Sequence, residues 1–452
     1  MYTKHLQKAV DSIEKQTLYV VATPIGNLAD ITLRALAVLQ KADIICAEDT
    51  RVTAQLLSAY GIQGKLVSVR EHNEQQMADK IIAHLSDGLS VAQVSDAGTP
   101  AVCDPGAKLA ARVREAGFKV VPVVGASAVM GALSVAGVTE SDFYFNGFLP
   151  PKAGERQKLL AKWAEADFPI VMFETPHRIE ASLADMAAQF PERRLTLARE
   201  ITKTFETFLS GTVTEIQAAL KNDSNQTRGE MVLVLHPAVK EKHSDLPEAA
   251  QNTMKILAAE LPTKQAAELA ARVREAGFKV VPVVGASAVM GALSVAGVTE
   301  SDFYFNGFLP PKAGERQKLL AKWAEADFPI VMFETPHRIE ASLADMAAQF
   351  PERRLTLARE ITKTFETFLS GTVAEIQAAL KNDSNQTRGE MVLVLHPAVK
   401  EKHSDLPEAA QNTMKILAAE LPTKQAAELA AKITGENKKA LYDLALEWKK
   451  QG

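Results

Sequence analysis

Two polar segments of the chain carry residue types suited to binding a ligand or activating a hydroxyl group. Residues 95–106, SDAGTPAVCDPG, place two glycines, two prolines and two aspartates in one loop. Such a loop is expected where the backbone approaches a ligand closely, with a rigid turn as the alternative. Residues 48–51, EDTR, set two acids beside an arginine. They suit the orientation of a substrate hydroxyl or, alternatively, a surface ion network.

Two further segments have the small residues and turns of a ligand-binding edge. Thr23-Pro24-Ile25-Gly26-Asn27-Leu28 follows the apolar run TLYVVA and precedes a helical pattern. Turns between a strand and a helix are where α/β sheets bind ligands, although an ordinary connecting turn has the same composition. Gly125-Ala126-Ser127-Ala128 would let a ligand lie against the chain at the start of a second α/β unit.

The elements that must position these segments alternate between strand and helix. Apolar runs at TLYVVA, DIICA, KLVSV, SVAQVSD and FKVVPVV are separated by helical patterns, which predicts a parallel sheet. A second α/β unit is predicted from strands at DFYFNGF, PIVMFE, LTLARE and GEMVLVLHP. A helical tail is predicted from Leu421 to Lys450, with one helix at 424–433 and another at 436–450.

Composition restricts the class of protein. With 47% hydrophobic residues the chain can bury cores, and its net charge of −4 argues against a protein that coats nucleic acid by charge, so that any RNA contact must be local. Cys46 and Cys103 are the only cysteines and neither has a CxxC partner, so we expect no structural metal and a reducing cytoplasm. No segment reaches the length of about 20 apolar residues that spans a bilayer, and no membrane association is expected.

A domain-sized repeat dominates the organisation. Positions 109–271 match positions 269–431, and they differ only at Thr214 against Ala374. The predicted domains are an amino-terminal α/β domain (1–124), a carboxyl-terminal α/β domain (125–240), a truncated tail and junction (241–284), the duplicated α/β domain (285–400), and a linker with a helical tail (401–452). The junction is expected to be helical from Lys264. The run FKVVPVV at 278–284 is expected to be a buried strand whose natural neighbours occur only once in the chain.

Six ordered motifs resemble the tetrapyrrole methylase superfamily and, within it, the cytidine 2'-O-methyltransferases of 16S ribosomal RNA. They are TPIGNLADIT at 23–32, EDTR at 48–51, VSDAGTPAVCDPG at 94–106, GFLPPK at 147–152, FETPHR at 173–178 and AREITKTFE at 198–206. The resemblance implies a two-domain tetrapyrrole-methylase-like α/β fold with a helical tail, here with the second α/β domain duplicated. It also implies S-adenosylmethionine as cofactor, and a homodimer or an internal pseudo-dimer. The residues implied to line the donor site are Pro24, Asp96, Ala97, Gly98, Val102, Ser127, Ala128 and Glu174.

The implied reaction is methylation of a ribose 2'-hydroxyl, with 16S ribosomal RNA or the small ribosomal subunit as partner. Glu48, Asp49 and Arg51 are the catalytic candidates, with Asn27, Arg178 and Glu200 as neighbours. A surface role in binding RNA phosphates, or simple solvation, is expected for the basic residues Lys152, Arg156, Lys158, Arg193 and Arg194. The alternatives are a methyltransferase acting on a small tetrapyrrole, or a non-catalytic remnant created by the duplication.

Overall fold

The amino-terminal part of the chain forms one sheet of five parallel strands in the order β3-β2-β4-β1-β5. The computed structural model describes residues 2–70, 73–102, 104–238, 273, 281–398 and 407–451. Four strands are almost wholly buried because helices cover both faces, which explains their continuous apolar runs. The prediction of a parallel α/β sheet is confirmed. The strands are β1 Thr17–Val21, β2 Ile44–Ala47, β3 Leu66–Ser68, β4 Val91–Val94 and β5 Lys119–Val123.

Helices connect these strands, and two of them, α2 and α3, begin after residues with capping side chains. The Thr32 hydroxyl accepts a hydrogen bond from the amide of Ala35 at 3.1 Å, and the Asp49 carboxylate accepts one from the amide of Arg51 at 2.8 Å. Such caps satisfy amides that have no partner inside the helix. The helices are α1 Tyr2–Asp11, α2 Leu33–Lys41, α3 Thr50–Ala59, α4 Glu74–Ser86 and α5 Ala107–Glu115.

The two copies of the repeat build a single ten-stranded sheet, in the order β14-β13-β15-β12-β11-β6-β7-β10-β8-β9. Each copy contributes five strands in the same local arrangement. The first copy comprises α6 Ala128–Ala136, β6 Phe143–Phe148, α7 Ala153–Trp163, β7 Ile170–Glu174, α8 Ile179–Gln189, β8 Arg194–Arg199, β9 Thr207–Thr212, α9 Val213–Asn222 and β10 Met231–Leu235. The second comprises α10 Ala288–Ala296, β11 Phe303–Phe308, α11 Ala313–Trp323, β12 Ile330–Glu334, α12 Ile339–Gln349, β13 Arg354–Arg359, β14 Thr367–Thr372, α13 Val373–Asn382 and β15 Met391–Leu395.

The copies join through antiparallel pairing of β6 with β11, which is reciprocal about Tyr144 and Tyr304. Phe143 faces Phe305, and Phe145 faces Phe303. The Tyr144 hydroxyl donates a hydrogen bond to Asp302, and the Tyr304 hydroxyl donates one to Asp142. Because each contact recurs with the copies exchanged, the interface is the internal equivalent of a two-fold symmetric one.

One face of this sheet carries a hydrophobic core that belongs to both copies. Val129 and Ala132 of α6 pack in the same cluster as Met290 and Leu293 of α10, together with Phe145 and Phe305. The opposite face carries two separate cores with matching residues, one around Leu160 and the other around Leu320. The shared core is therefore what fixes the copies against each other on that face.

The structure departs from the sequence predictions at the junction and at one strand of each copy. The expected strand at 278–284 is wrong over residues 281–284, which lie in no strand, because β1, the neighbour that β5 pairs with, is already occupied. The expected junction helix from Lys264 falls almost entirely outside the described residues. Strand β9 and its counterpart β14 were not predicted, since every residue in them is only partly buried and shows no alternation of apolar and polar faces.

The carboxyl-terminal residues form a separate unit of three helices, α14 Glu408–Glu420, α15 Thr423–Thr434 and α16 Lys438–Gln451. Its own core contains Ala410, Met414, Ala427 and Leu441. The sequence predicted the last two helices, separated by the left-handed Gly435, but missed α14. Within the part of the chain that the structure describes, no helix is long and apolar enough to cross a membrane.

The interface between the copies predicts a large effect of Phe143→Ala. Phe143 is 6% exposed, and its ring lies 5.8 Å from that of Phe303 and 5.5 Å from that of Phe305. Truncating a buried phenylalanine costs about 3–5 kcal/mol. We expect the free energy of unfolding in urea to fall by that amount. Phe205→Ala is the control, because this ring is 71% exposed. Equal stability of the two variants would contradict the packing of Phe143 between the two copies.

Candidate functional site

The carboxyl ends of the parallel strands bring the sequence motifs to one edge of the amino-terminal sheet. The turn after β1 and the loop after β4 are tied by two backbone hydrogen bonds between Thr23 and Gly98, of 2.8 and 3.1 Å. Gly98 has a φ of +77°, a conformation that glycine adopts without steric strain. The loop after β4 is also tied to the segment between β2 and α3, because the Asp96 carboxylate accepts a hydrogen bond from the Asp49 amide at 3.1 Å.

A cavity of about 370 Å³ lies between these loops and the first copy of the repeat. The amino-terminal loops and the first copy, including the start of α6, form its wall, and the second copy contributes Met290. The lining residues are Ile25, Ala97, Gly98, Thr99, Val102, Asp104, Ser127, Ala128, Val129, Phe148, Phe173, Glu174, Thr175, Pro176, Ile201, Glu230, Met231, Val232 and Met290.

Six of the eight residues expected to bind the methyl donor line this cavity, namely Ala97, Gly98, Val102, Ser127, Ala128 and Glu174. Pro24 and Asp96 are not in its wall. Pro24 is buried next to Thr23, and the exposed Asp96 lies beside the wall residue Ala97. The structure thus gives these two residues a place in the loops that shape the cavity.

Ser127 holds the start of helix α6 against the cavity. Its hydroxyl accepts a hydrogen bond from the amide of Met130 at 3.4 Å, which caps the helix. Ala128 and Val129, in the first turn, form part of the wall. The positive end of the helix dipole therefore borders the cavity and favours a negatively charged group there.

Glu174 lines the cavity, but both oxygens of its carboxylate are engaged within the protein. One oxygen accepts hydrogen bonds from the Thr175 amide and from the Arg178 guanidinium, each at 2.8 Å. The other accepts one from the Ser182 hydroxyl at 2.6 Å. With 2% of its surface exposed, Glu174 anchors the loop at Thr175 and Pro176.

Thr99 presents a polar atom with no partner at the cavity. This residue is 8% exposed and lines the wall, and its hydroxyl is buried without a hydrogen-bond partner among the described residues. Leaving such a group unsatisfied costs about 1–3 kcal/mol. A ligand with a polar group at this point would remove that cost.

The three catalytic candidates of the EDTR segment lie beside the cavity and not in its wall. The Arg51 side chain donates three hydrogen bonds to the Asp49 carboxylate and holds the pKa of that group well below its usual range. The Arg51 side chain is 85% exposed. Partial burial, with the negative charge of Asp96 nearby, raises the pKa of Glu48.

Asp104 is the titratable group that the sequence reasoning missed. It lines the cavity, and burial together with the charge of Glu48 raises its pKa to about 7. The motif containing it was recognised, but only the folded chain shows that Glu48, from a different strand end, lies close enough to affect its ionisation. A carboxyl group that titrates near neutral pH can accept a proton during a reaction.

The other polar candidates have structural partners. Asn27 caps the short helix at Leu28–Asp30, and the Glu200 carboxylate accepts a hydrogen bond from the Lys203 ammonium at 3.0 Å. The expectation of a surface role is wrong for Arg156 and Arg193, which are 4% and 8% exposed. Arg156 forms an ion pair with Asp185, and Arg193 donates hydrogen bonds to backbone carbonyls. Each arginine thereby joins elements of the first copy.

The corresponding region of the second copy is lined by different residues. A cavity of about 430 Å³ lies beside Ser287, Phe305 and Phe333, and Met130 of the first copy contributes to its wall. None of its lining residues comes from the loops after β1, β2 or β4, since those loops occur once and already face the first copy. Of the two cavities, only the first has Asp104 and Thr99 in its wall.

Comparison with known proteins identifies the family of the chain. The model of the tetrapyrrole (corrin/porphyrin) methylases matches residues 17–217 and 263–377, and that of the RsmI C-terminal HTH domain matches residues 404–449. A ribosomal RNA small subunit methyltransferase I of Neisseria meningitidis serogroup B is 82% identical over 279 residues, which are 62% of this chain and 96% of the relative. The protein of that name from Escherichia coli O157:H7 is 48% identical over 57% of this chain and 90% of the relative.

These matches extend over both domains that form the cavity and over the carboxyl-terminal helices. The chain belongs to the tetrapyrrole methylase family and, within it, to the ribosomal RNA small subunit methyltransferase I proteins.

Proposed function

We propose that this chain transfers a methyl group from S-adenosylmethionine to the 2'-hydroxyl of a cytidine in 16S ribosomal RNA. The observation that carries the proposal is the cavity itself, which gathers the loops after β1 and β4 and the start of α6 at one place. A relative that is 82% identical carries the name ribosomal RNA small subunit methyltransferase I.

The cavity fits the donor in size and in chemistry. Its volume of about 370 Å³ falls in the range of roughly 300–1,000 Å³ that is usual for small-molecule sites. Ile25, Val102 and Met231 supply apolar surface, whereas Ala97, Gly98 and Ala128 leave room for the ligand. The Thr99 hydroxyl would gain a partner, and the start of α6 would face the donor's carboxylate. Pro24, Asp96 and Glu174 hold the surrounding loops in position.

The bound donor supplies an activated methyl group, and the residues of the chain must position the ribose oxygen and accept its proton. Asp104 is suited to accept this proton, since its pKa of about 7 allows both protonation states at neutral pH. Glu48 acts on the reaction through Asp104, whose pKa its charge raises. Asp49 orients Arg51, and the exposed guanidinium is available to bind an RNA phosphate.

The carboxyl-terminal helical unit is proposed to contact the RNA. Its family model is that of a helix-turn-helix domain, and Lys432 and Lys438 lie on its surface. An RNA substrate in the small ribosomal subunit would place the protein in the cytoplasm. Because the chain as a whole carries a net charge of −4, this unit and the cavity rim must supply the attraction locally.

The first test is the substrate. Purified chain is incubated with isotopically labelled S-adenosylmethionine and either small ribosomal subunits from cells lacking the enzyme or a tetrapyrrole precursor. We expect label at a single cytidine ribose of the RNA, mapped by alkaline hydrolysis, which cannot cleave beside a 2'-O-methyl group. Labelling of the tetrapyrrole alone would support the small-molecule alternative. Absence of transfer to either would support the non-catalytic one.

The second test is the donor cavity, with the repeat as its own control. Ala128→Phe places a large side chain in the wall, and because overpacking costs about 1–3 kcal/mol we expect donor affinity to fall by about ten- to a hundredfold. Ala288→Phe changes the identical residue of the second copy, which is exposed. Calorimetric titration should find one donor per wild-type chain and normal affinity for this control. Equal loss in both variants would contradict the assignment.

The third test is the proton acceptor. The rate of methyl transfer at saturating donor should rise with pH through about 7 and level above it, because Asp104 must lose its proton to act as a base. Asp104→Asn should lower this rate by about 10²–10⁴-fold and remove the pH dependence. Donor affinity should stay within about twofold, since the change is isosteric. A variant with the wild-type rate and pH profile would eliminate Asp104.

A further inference from the structure

The donor cavity is completed by a residue of the second copy, Met290. This side chain is 4% exposed and lines the same wall as Ser127, Ala128 and Val129 of the first copy. Its counterpart Met130 lines the wall of the cavity beside Ser287 in the second copy. The two methionines are therefore exchanged between the copies, each at the other copy's cavity.

This exchange follows from the close approach of helices α6 and α10. A Cβ atom at Gly131 would lie 2.8 Å from Cγ1 of Val284, and one at Gly291 would lie 2.5 Å from Cγ1 of Val124. No side chain fits at either glycine without displacement, so the segment before each helix packs against the helix of the other copy. The reciprocity is the same as that of Tyr144 and Tyr304 in the β6–β11 pairing.

The amino-terminal domain contacts both copies, but its ligand-facing loops border only the cavity at the first copy. Its loops face the first copy at the cavity, where Asp104 and Thr99 lie. On another side, α5 packs against α10 of the second copy, and the Arg114 guanidinium donates a hydrogen bond to the carbonyl of Ala296 at 3.3 Å. Arg34 also forms an ion pair with Glu366 of the second copy at 3.7 Å.

We propose that the second copy of the repeat serves as a built-in partner subunit, with Met290 as a donor-binding residue of the single complete site. This inference rests on the proposed function, since it assigns a residue to the proposed donor cavity. A chain with a single copy of the block would need a second chain to provide this methionine. Here one chain provides both.

The test compares Met290→Ala with Met130→Ala, which change the same residue type within the same local sequence. Loss of the apolar contact at about 0.8 kcal/mol per methylene predicts an S-adenosylmethionine Kd raised by about tenfold for Met290→Ala. Met130→Ala should stay within about twofold of wild type, as expected for a change outside the site. Met290→Leu, which conserves volume, should restore most of the affinity.

Three outcomes separate the inference from the proposed function. A wild-type chain that does not bind S-adenosylmethionine overturns the proposed function. Normal wild-type binding with equal affinities for Met290→Ala and Met130→Ala overturns only the role of Met290. The urea midpoints of the two alanine variants are measured alongside, and if Met290→Ala is unfolded, binding by Met290→Leu and by Met290→Phe decides. The larger phenylalanine should weaken binding, and unchanged affinity in both variants overturns the role.

A second measurement tests whether one chain is sufficient. The methyl-transfer rate per chain should stay constant as the enzyme is diluted from micromolar to nanomolar concentration, because both halves of the site are covalently joined. A rate per chain that falls on dilution would show that a second molecule completes the site, and would overturn the proposal.

Discussion

The antiparallel pairing of β6 with β11 is the contact on which the rest of the structure depends. Each strand would otherwise form an open edge of a five-stranded sheet, with unpaired amide and carbonyl groups that invite association with another chain. Pairing satisfies these groups and brings Phe143, Phe145, Phe303 and Phe305 together beneath α6 and α10. Aromatic contacts of this kind add about 0.5–1.5 kcal/mol each beyond the burial of their area. The pairing thus turns two repeats into one layer with a shared core.

The identical copies acquire different properties because the amino-terminal sheet occurs once. Val123 is 1% exposed within β5, whereas Val283, its counterpart in an identical local sequence, is 90% exposed. Met130 is partly buried and Met290 is buried. No difference in sequence accounts for this, since the nearest substitution is Thr214 against Ala374. The supply of partners for hydrogen bonding and packing decides which copy forms the complete cavity.

The chemistry at the cavity depends on the strand ends that meet at one edge of the amino-terminal sheet. Strand ends from β1, β2 and β4 meet at one edge, so carboxylates far apart in sequence come close enough to interact. Burial and the charge of Glu48 raise the pKa of Asp104, and burial and the charge of Asp96 raise the pKa of Glu48, because burial weakens the screening of charge by water. By contrast, Asp49 has Arg51 two residues away and stays ionised. One segment therefore contains acids with opposite shifts.

The sequence by itself determined most of the elements, the motifs and the resemblance to the family. Apolar runs bounded by turns located β1 to β5, and the composition of the loop at 95–106 pointed to the edge of the sheet where the cavity lies. These features are local, since they depend on residues within a few positions of one another. The tertiary structure alone decided that Met290, and not Met130, reaches the complete cavity, that Asp104 titrates near neutral pH, and that Arg156 and Arg193 are buried. Each of these outcomes depends on contacts between distant segments, and in a chain with two nearly identical copies the local sequence cannot distinguish which copy makes them.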